Sequence, residues 1–184
     1  SCYTAWDLAI GKNEANDFTV GITVGVDSRD RIWVLDLQRG KWDGLDICDT
    51  ILDVHEQWRS EFVGLEHGQI SMSIGPLLNR RIQERGLWDF PFDYTRDGLK
   101  TGRRDKEARA RPIQGRMRQG MVLFPKDALW FQGLQNEMLS FPMGVHDDQA
   151  DAMAWIGQMI AMFSAPVIKK ISGPSWRDKL ESIS

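Results

Sequence analysis

The sequence contains little cysteine and histidine and no long apolar run. Cys2 and Cys48 lie far apart without a CxxC pair, and the three histidines form no cluster, so neither a disulfide framework nor a zinc site is predicted. No apolar stretch reaches the roughly 18 residues that a membrane-spanning helix needs, and the first residues lack the basic and apolar regions of a signal peptide. We therefore expect a soluble protein in a reducing cytoplasm.

Positive charge is not in excess, and no phosphate-binding loop is present. The 184 residues carry 23 Lys and Arg against 26 Asp and Glu, which gives a formal net charge of −3. This balance excludes proteins that bind nucleic acid through bulk charge, so any such contact must be local. The GxxxxGKS or GxxxxGKT motif of nucleotide-binding loops does not occur.

Apolar periodicity predicts a mixed α/β fold. Runs at 2–10, 18–26 and 31–38, separated by polar turns, indicate three antiparallel strands. The later segments alternate: helices over 44–60, 71–85, 127–139, 147–163 and the second half of 96–118, and strands at 62–66, 90–94 and 121–124. Asp43 is the predicted cap of the first helix, and Gly86 ends the second. This order predicts a central sheet whose later strands are parallel, with helices on both faces.

The composition changes after Ala165. Pro, Gly, Ser and scattered charges in 166–184 predict a flexible C-terminal tail. One folded domain over 1–165 remains, and it is long enough to bury a substantial core. Because strand-like sequence begins within the first three residues, we expect an excised domain.

Two acidic residues lie in strands on faces that carry only small neighbours. Asp7 falls in the middle of the first predicted strand, and strand alternation places Ala5 and Ala9 beside it, which leaves space for an ion. Glu66 closes a later strand and shares its face with Gly64. Burying a carboxylate in an apolar strand is costly unless it has a partner, so both acids are candidate site residues.

The motif HDDQADA at 146–152 opens the last predicted helix. Asp148 and Asp151, at spacing i, i+3, continue the apolar stripe of that helix, and Asp147 is i, i+4 to Asp151. We therefore expect these acids to face the sheet. His146 fits a solvated residue at a helix start better than a ligand.

Converging carboxylates repel one another, and hard divalent cations such as Mg²⁺ or Mn²⁺ relieve that repulsion. Two such ions would support in-line attack of water on a phosphodiester. Asp17 is a further candidate for supporting this site, or a turn residue. Taken singly, each acid also fits a structural role, as a paired strand charge, a strand-ending charge or a helix cap.

A concentrated positive patch lies at 96–118. This segment holds nine Lys and Arg against three acids, whereas residues 1–66 hold thirteen acids against six bases. A DNA backbone should be repelled by the first part and guided to the second. The candidate DNA-binding residues are Arg103, Arg104, Lys106 and Arg109. A solvated helix face is the other interpretation of the patch.

Four stretches together resemble the nuclease domain of bacteriophage terminase large subunits, over roughly 3–163. They are DLAIGKNEANDFTV, GLEHGQ, HDDQADAMAW and the segment DKEARARPIQGRMRQGMVLFP, in which Lys106 and Arg109 occupy the family's basic positions. The resemblance implies a ribonuclease H-like fold and a two-metal endonuclease that cuts concatemeric viral DNA. It makes Asp7, Glu66, Asp148 and Asp151 the expected catalytic residues.

The same resemblance implies the ligands and partners. Asp7, Glu66, Asp147, Asp148 and Asp151 would hold two Mg²⁺ or Mn²⁺ ions, with Asp148 and Asp151 favoured because their spacing is similar to that in junction resolvases. The substrate would be double-stranded DNA in the cytoplasm of an infected bacterium. The expected partners are the ATPase domain, the small terminase subunit and the portal. The sequence lacks the ATPase, so we expect no motor activity.

Two alternatives remain open. A Holliday-junction resolvase or another ribonuclease H-like nuclease would carry a similar set of acids, and a preference for branched DNA would identify it. A non-catalytic DNA-binding or assembly module would use the acids structurally and grip phosphates with 96–118. Metal-dependent cleavage of plasmid separates the enzymes from this module.

Overall fold

The chain forms a mixed sheet with helices on both faces. The structure is a computed structural model, and it describes residues 1–10, 18–91, 99–100, 106–144 and 147–164. Its elements in chain order are β1 (Cys2–Asp7), β2 (Thr19–Val26), β3 (Ile32–Gly40), α1 (Gly44–Trp58), β4 (Phe62–His67), α2 (Gln69–Arg85), β5 (Leu99–Lys100), α3 (Lys106–Arg118), β6 (Val122–Leu123), α4 (Phe131–Ser140) and α5 (Asp148–Ser164).

The six strands form one sheet in the order β5-β4-β1-β2-β3-β6. β1, β2 and β3 pair antiparallel, while β4 pairs parallel to β1, β5 parallel to β4 and β6 parallel to β3. The predicted combination of three antiparallel strands followed by parallel ones is therefore confirmed. β1 lies inside the sheet, so the residue at its end is surrounded by structure on both sides.

The predicted helix boundaries are confirmed at two places and wrong at a third. The Asp43 carboxylate accepts hydrogen bonds from the backbone N–H groups of Leu45 and Asp46, and Gly86 ends α2 with a φ of 66°, which favours glycine. The helix predicted over 127–139 begins only at Phe131, because the chain turns after Pro125. The strand predicted at 90–94 is not formed at residues 90 and 91, and residues 92–94 lie outside the described ranges.

Each face of the sheet packs its own core. Ala5 and Ile22 face the core built with α3, α4 and α5, whereas Trp6 and Leu65 face the core built with α1 and α2. Strand alternation explains this division, because neighbouring residues of β1 point to opposite faces. Asp7 therefore shares the face of Ala5, toward α5. Among the described helices, none is both long and apolar enough to cross a membrane.

His55 of α1 is a buried histidine on the face opposite Asp7. It is 3% exposed, its ring meets the edge of Phe90 at 5.0 Å, and neither ring nitrogen has a hydrogen-bond partner among the described residues. Burial lowers the pKa of His55, because the charged imidazolium would lose its hydration. The native ring therefore takes up a proton only at a lower pH than the unfolded chain does.

We expect this burial to make the protein less stable below pH 6.5. The unfolded chain takes up a proton near pH 6.5 that the native ring binds only at lower pH. The free energy of unfolding therefore falls as the pH drops, by at most about 1.4 kcal/mol per pH unit. Urea unfolding of wild type and His55→Leu between pH 5 and 7.5 measures the effect. A His55→Leu variant with the same pH slope as wild type would contradict it.

Candidate active site

Asp7 is the last residue of β1, at the point where the regular pairing with β2 ends. The strand was predicted to run to residue 10 with Asp7 in its middle, but its pairing with β2 ends at Asp7 and Val20. Beyond this point the Thr19 hydroxyl takes the place of the sheet partner, since it accepts a hydrogen bond from the N–H of Ala9 at 3.0 Å and donates one to the C=O of Ala9 at 2.7 Å. The Asp7 carboxyl consequently projects from a strand end that is held in place on both sides.

Glu66 lies next to Asp7 because of the parallel register between β1 and β4. Trp6 pairs with Leu65, which brings the next residues of both strands together at the same edge. The two carboxyls lie close enough to share a side-chain hydrogen bond when one of them carries a proton. Burial, that hydrogen bond and the negative charges of Glu66, Asp151 and Asp148 raise the pKa of Asp7 to about 9. Asp7 is therefore protonated at neutral pH.

The first turn of α5 supplies two more carboxylates, and Asp147 directly before the helix supplies a third. Asp148 and Asp151 are each 7% exposed, as their predicted inward orientation requires, and Asp147 lines the same pocket. The backbone N–H of Phe18 donates a hydrogen bond to Asp148 Oδ2 at 3.3 Å, and the N–H of Asp151 donates one to the C=O of Asp147 at 2.8 Å. The positive end of the helix dipole favours negative charge at this position.

Arg109 of α3 enters the pocket among these acids. Its Nη2 lies 3.8 Å from Asp151 Oδ1, and its guanidinium carbon lies 5.1 Å from the ring centroid of Trp155. The side chain is only 13% exposed, and its Nε has no hydrogen-bond partner within the described residues. The sequence alone assigned Arg109 to a DNA-binding surface, whereas the structure places it inside the acidic pocket.

The pocket is a partly enclosed cavity of about 240 Å³. Its lining consists of five acids, one base and three apolar residues: Asp7, Glu66, Asp147, Asp148, Asp151, Arg109, Leu8, Ala9 and Phe18. The sequence prediction of converging acids is thus met by β1, β4 and α5, which meet at one edge of the sheet.

The donor chemistry of the pocket fits hard divalent cations. Its acidic lining offers carboxylate oxygens only, and a bound cation would relieve the repulsion among these acids. In the described part of the chain, no three His, Cys, Asp or Glu side chains stand close enough together to hold an ion as they are. In this arrangement the acids are engaged with one another and with a base, Asp7 with Glu66 and Asp151 with Arg109.

A second layer of contacts fixes the start of α5. Gln149, between the two buried acids, donates hydrogen bonds from its backbone N–H and its Nε2 to the carboxylate of Glu137, at 2.9 and 2.5 Å. Glu137 also pairs with Arg39 of β3, with the Nη2–Oε1 distance at 3.4 Å. α4 and the end of β3 together therefore set the position of Asp148.

Other candidate residues lie outside the described ranges. These are Asp17, His146, Arg103 and Arg104. Lys106 is the first residue of α3, and the structure describes its backbone but not its side chain. Their predicted roles stay predictions.

Sequence reasoning missed two parts of the pocket. The inward orientation of Arg109 had a signal, because Ile113 lies four residues later on the same helical face and is buried. Phe18 had none, since its contact with Asp148 joins residues 130 positions apart.

Comparison with known proteins agrees with this architecture. The chain is similar in fold to the crystal structure of the yeast mitochondrial Holliday junction resolvase Ydc2, with a TM-score of 0.52, 10% sequence identity and coverage of 86% of this chain and 78% of the resolvase. No curated protein matches the chain in a sequence comparison. The terminase RNaseH-like domain family matches residues 4–159. Because this match spans most of the chain, the protein belongs to the terminase RNaseH-like domain family.

Proposed function

We propose that this chain is a two-metal-ion endodeoxyribonuclease that cuts concatemeric viral DNA during genome packaging. The observation that carries the proposal is the single pocket in which carboxylates from β1, β4 and α5 meet one buried arginine. Membership in a terminase domain family supplies the biological setting. The proposed location is the cytoplasm of the infected bacterium, and the proposed partners are the ATPase domain, the small terminase subunit and the portal.

Each residue of the pocket has a distinct task in this mechanism. Asp7, Glu66, Asp148 and Asp151 would hold two Mg²⁺ or Mn²⁺ ions, with Asp147 as a further candidate ligand. Bound ions would activate the attacking water and stabilise the leaving oxygen. Asp7 must release its proton before it can serve as a ligand.

Arg109 and the apolar wall act on the substrate. The Arg109 guanidinium is a fixed cation beside Asp151, placed to donate hydrogen bonds to a phosphate oxygen once the acids are engaged elsewhere. Leu8, Ala9 and Phe18 limit the access of bulk water to the carboxylates, which strengthens every charge interaction in the pocket.

The test is incubation of supercoiled plasmid with the protein in Mg²⁺ or Mn²⁺. We expect nicked and linear products with either ion, no products in EDTA, and no products from Asp148→Asn with unchanged folding. Asp127→Asn, an exposed acid outside the pocket, is the matched control and should cut like wild type.

Two results would redirect this proposal. Folded protein that binds duplex DNA yet leaves plasmid intact in both metals would favour the non-catalytic module. Cleavage of four-way junctions but not of linear or plasmid duplex would favour a resolvase.

A further inference from the structure

A pair of cations lies behind the wall of the acidic pocket, on the side of β3. Phe18 lines the pocket and its backbone N–H bonds to Asp148. The guanidinium carbon of Arg39 lies 3.7 Å from the centroid of the Phe18 ring, and the ammonium nitrogen of Lys41 lies 4.7 Å from it. Both cations are therefore one side chain away from the candidate catalytic carboxylates.

The ring of Phe18 holds the two cations at a defined place. Arg39 lies near the end of β3 and Lys41 directly follows the strand, and their common contact with the Phe18 ring places both cations on the same side. Each cation–π contact contributes only about 0.5–1 kcal/mol at a partly exposed site, and Arg39 also pairs with Glu137. The ring therefore orients both side chains without neutralising their charge.

The two cations lie where they can offset the negative charge of the pocket. The acidic side chains of the pocket repel a DNA backbone, so the strand can approach only where cations offset them. Arg109 supplies a cation from the α3 side. Arg39 and Lys41 supply cations from the β3 side, and successive phosphates of one strand advance only about 3.4 Å along the helix axis. A strand that enters the pocket from this side would carry its neighbouring phosphates past these two cations.

We propose that Arg39 and Lys41, positioned by Phe18, bind the backbone phosphates that flank the bond to be cut. This inference rests on the proposed function, because it identifies the ligand as the DNA strand that enters the acidic pocket. A purely structural role, in which the two stems only cover the Phe18 ring, is the competing explanation, and it makes no contribution to the salt dependence of DNA binding.

Lys41→Gln gives the cleanest test, because Arg39 also pairs with Glu137 and its loss could disturb α5. Binding of a fluorescent 25-base-pair duplex is measured in EDTA, which prevents cleavage, at several salt concentrations. We expect Lys41→Gln to bind about 5–10-fold more weakly near 0.1 M salt and to lower the slope of log K against log salt by about 0.9. Arg39→Gln combined with Lys41→Gln should lower it by about twice as much.

Two further variants separate charge from packing. Lys41→Arg keeps the cation and should restore affinity and slope. Arg29→Gln makes the same change in charge at the exposed turn that leads into the opposite end of β3, roughly 30 Å away, and should bind like wild type. Melting temperatures of all variants within about 2 °C of wild type exclude unfolding as the cause.

Equal affinity and equal slope for wild type and Lys41→Gln overturn the inference, including the case in which neither binds DNA. The result is separate from that of the cleavage test. Wild type that nicks plasmid while Lys41→Gln binds normally disproves only the role of Lys41 and Arg39. Wild type whose binding depends on Lys41 but which never cuts DNA disproves the nuclease proposal and leaves this surface in place.

Discussion

Asp7→Asn is expected to abolish plasmid cleavage and to raise the melting temperature of the metal-free protein. Asparagine removes a negative ligand from the pocket, which should lower the cleavage rate at least about 100-fold, more than the loss of an outer-shell contact. The asparagine side chain has the shape of Asp7, and its amide N–H can donate a hydrogen bond to Glu66. Unlike the carboxyl of Asp7, it does not have to bind a proton to do so.

The gain in stability follows from the raised pKa of Asp7. Between about pH 4 and pH 9 the native state holds a proton that the unfolded chain has released, so the free energy of unfolding falls as the pH rises. At pH 7 this costs about 2–4 kcal/mol, and its removal corresponds to roughly 5–10 °C in melting temperature. Asp7→Asn should therefore be more stable in EDTA and should lose stability less steeply toward pH 9.

Thermal unfolding in EDTA from pH 5 to 9 measures both effects, with Asp127→Asn as a control of equal charge change. A variant at position 7 that melts like wild type at every pH would show that Asp7 is ionised in the native state. One that cuts plasmid at the wild-type rate would remove Asp7 from the site.

Gly157→Ala is expected to destabilise the protein and impair cleavage together. An added Cβ at Gly157 of α5 would lie 2.8 Å from both the backbone nitrogen and the Cβ of Ile113 of α3, so the two helices must separate. Overpacking of this kind costs about 1–3 kcal/mol, and alanine recovers less than about 1 kcal/mol through helix propensity. The net loss of about 1–2 kcal/mol lowers the melting temperature by roughly 2–8 °C.

The activity should fall because Arg109 precedes Ile113 by one helical turn. Moving α3 away from α5 lengthens the contact between Arg109 and Asp151, which is already 3.8 Å. Gly115→Ala is the matched control, since a Cβ there meets no atom within 4 Å among the described residues and should stabilise α3 slightly. Gly157→Ala that melts and cuts like wild type would show that the helix interface can relax without consequence.

Much of the fold was predictable because it depends on local periodicity. Alternation in β1 correctly separated Trp6 from Ala5 and Asp7, and helical spacing correctly turned Asp148 and Asp151 inward. These patterns also brought the acids together, because strands and helices of known order meet at few places. Local periodicity was sufficient to predict side-chain orientation wherever one face of a strand or helix packs against one core.

The remaining features depend on contacts between distant parts of the chain. Nothing near Phe18 in sequence indicates that it would bond to Asp148 and support Arg39. The helix predicted in the second half of 96–118 forms as α3 despite Pro112, but the sequence did not indicate that Ala110 and Ile113 pack into the core. The end of β1 at Asp7 was also unpredictable, since it is fixed by the hydroxyl of Thr19 ten residues from Ala9.

Because the sheet separates the two cores, substitutions on its two faces should differ in their effect on the acidic pocket. Every described residue that lines the acidic pocket comes from β1, β4, α3, α5 or the residues next to β1, β2 and α5, and none comes from α1 or α2. Amino-acid substitutions in α1 and α2 should therefore leave the pocket unchanged as long as the domain stays folded. Exposed positions of that layer are accordingly the places to attach a fluorophore or an affinity tag without touching the chemistry.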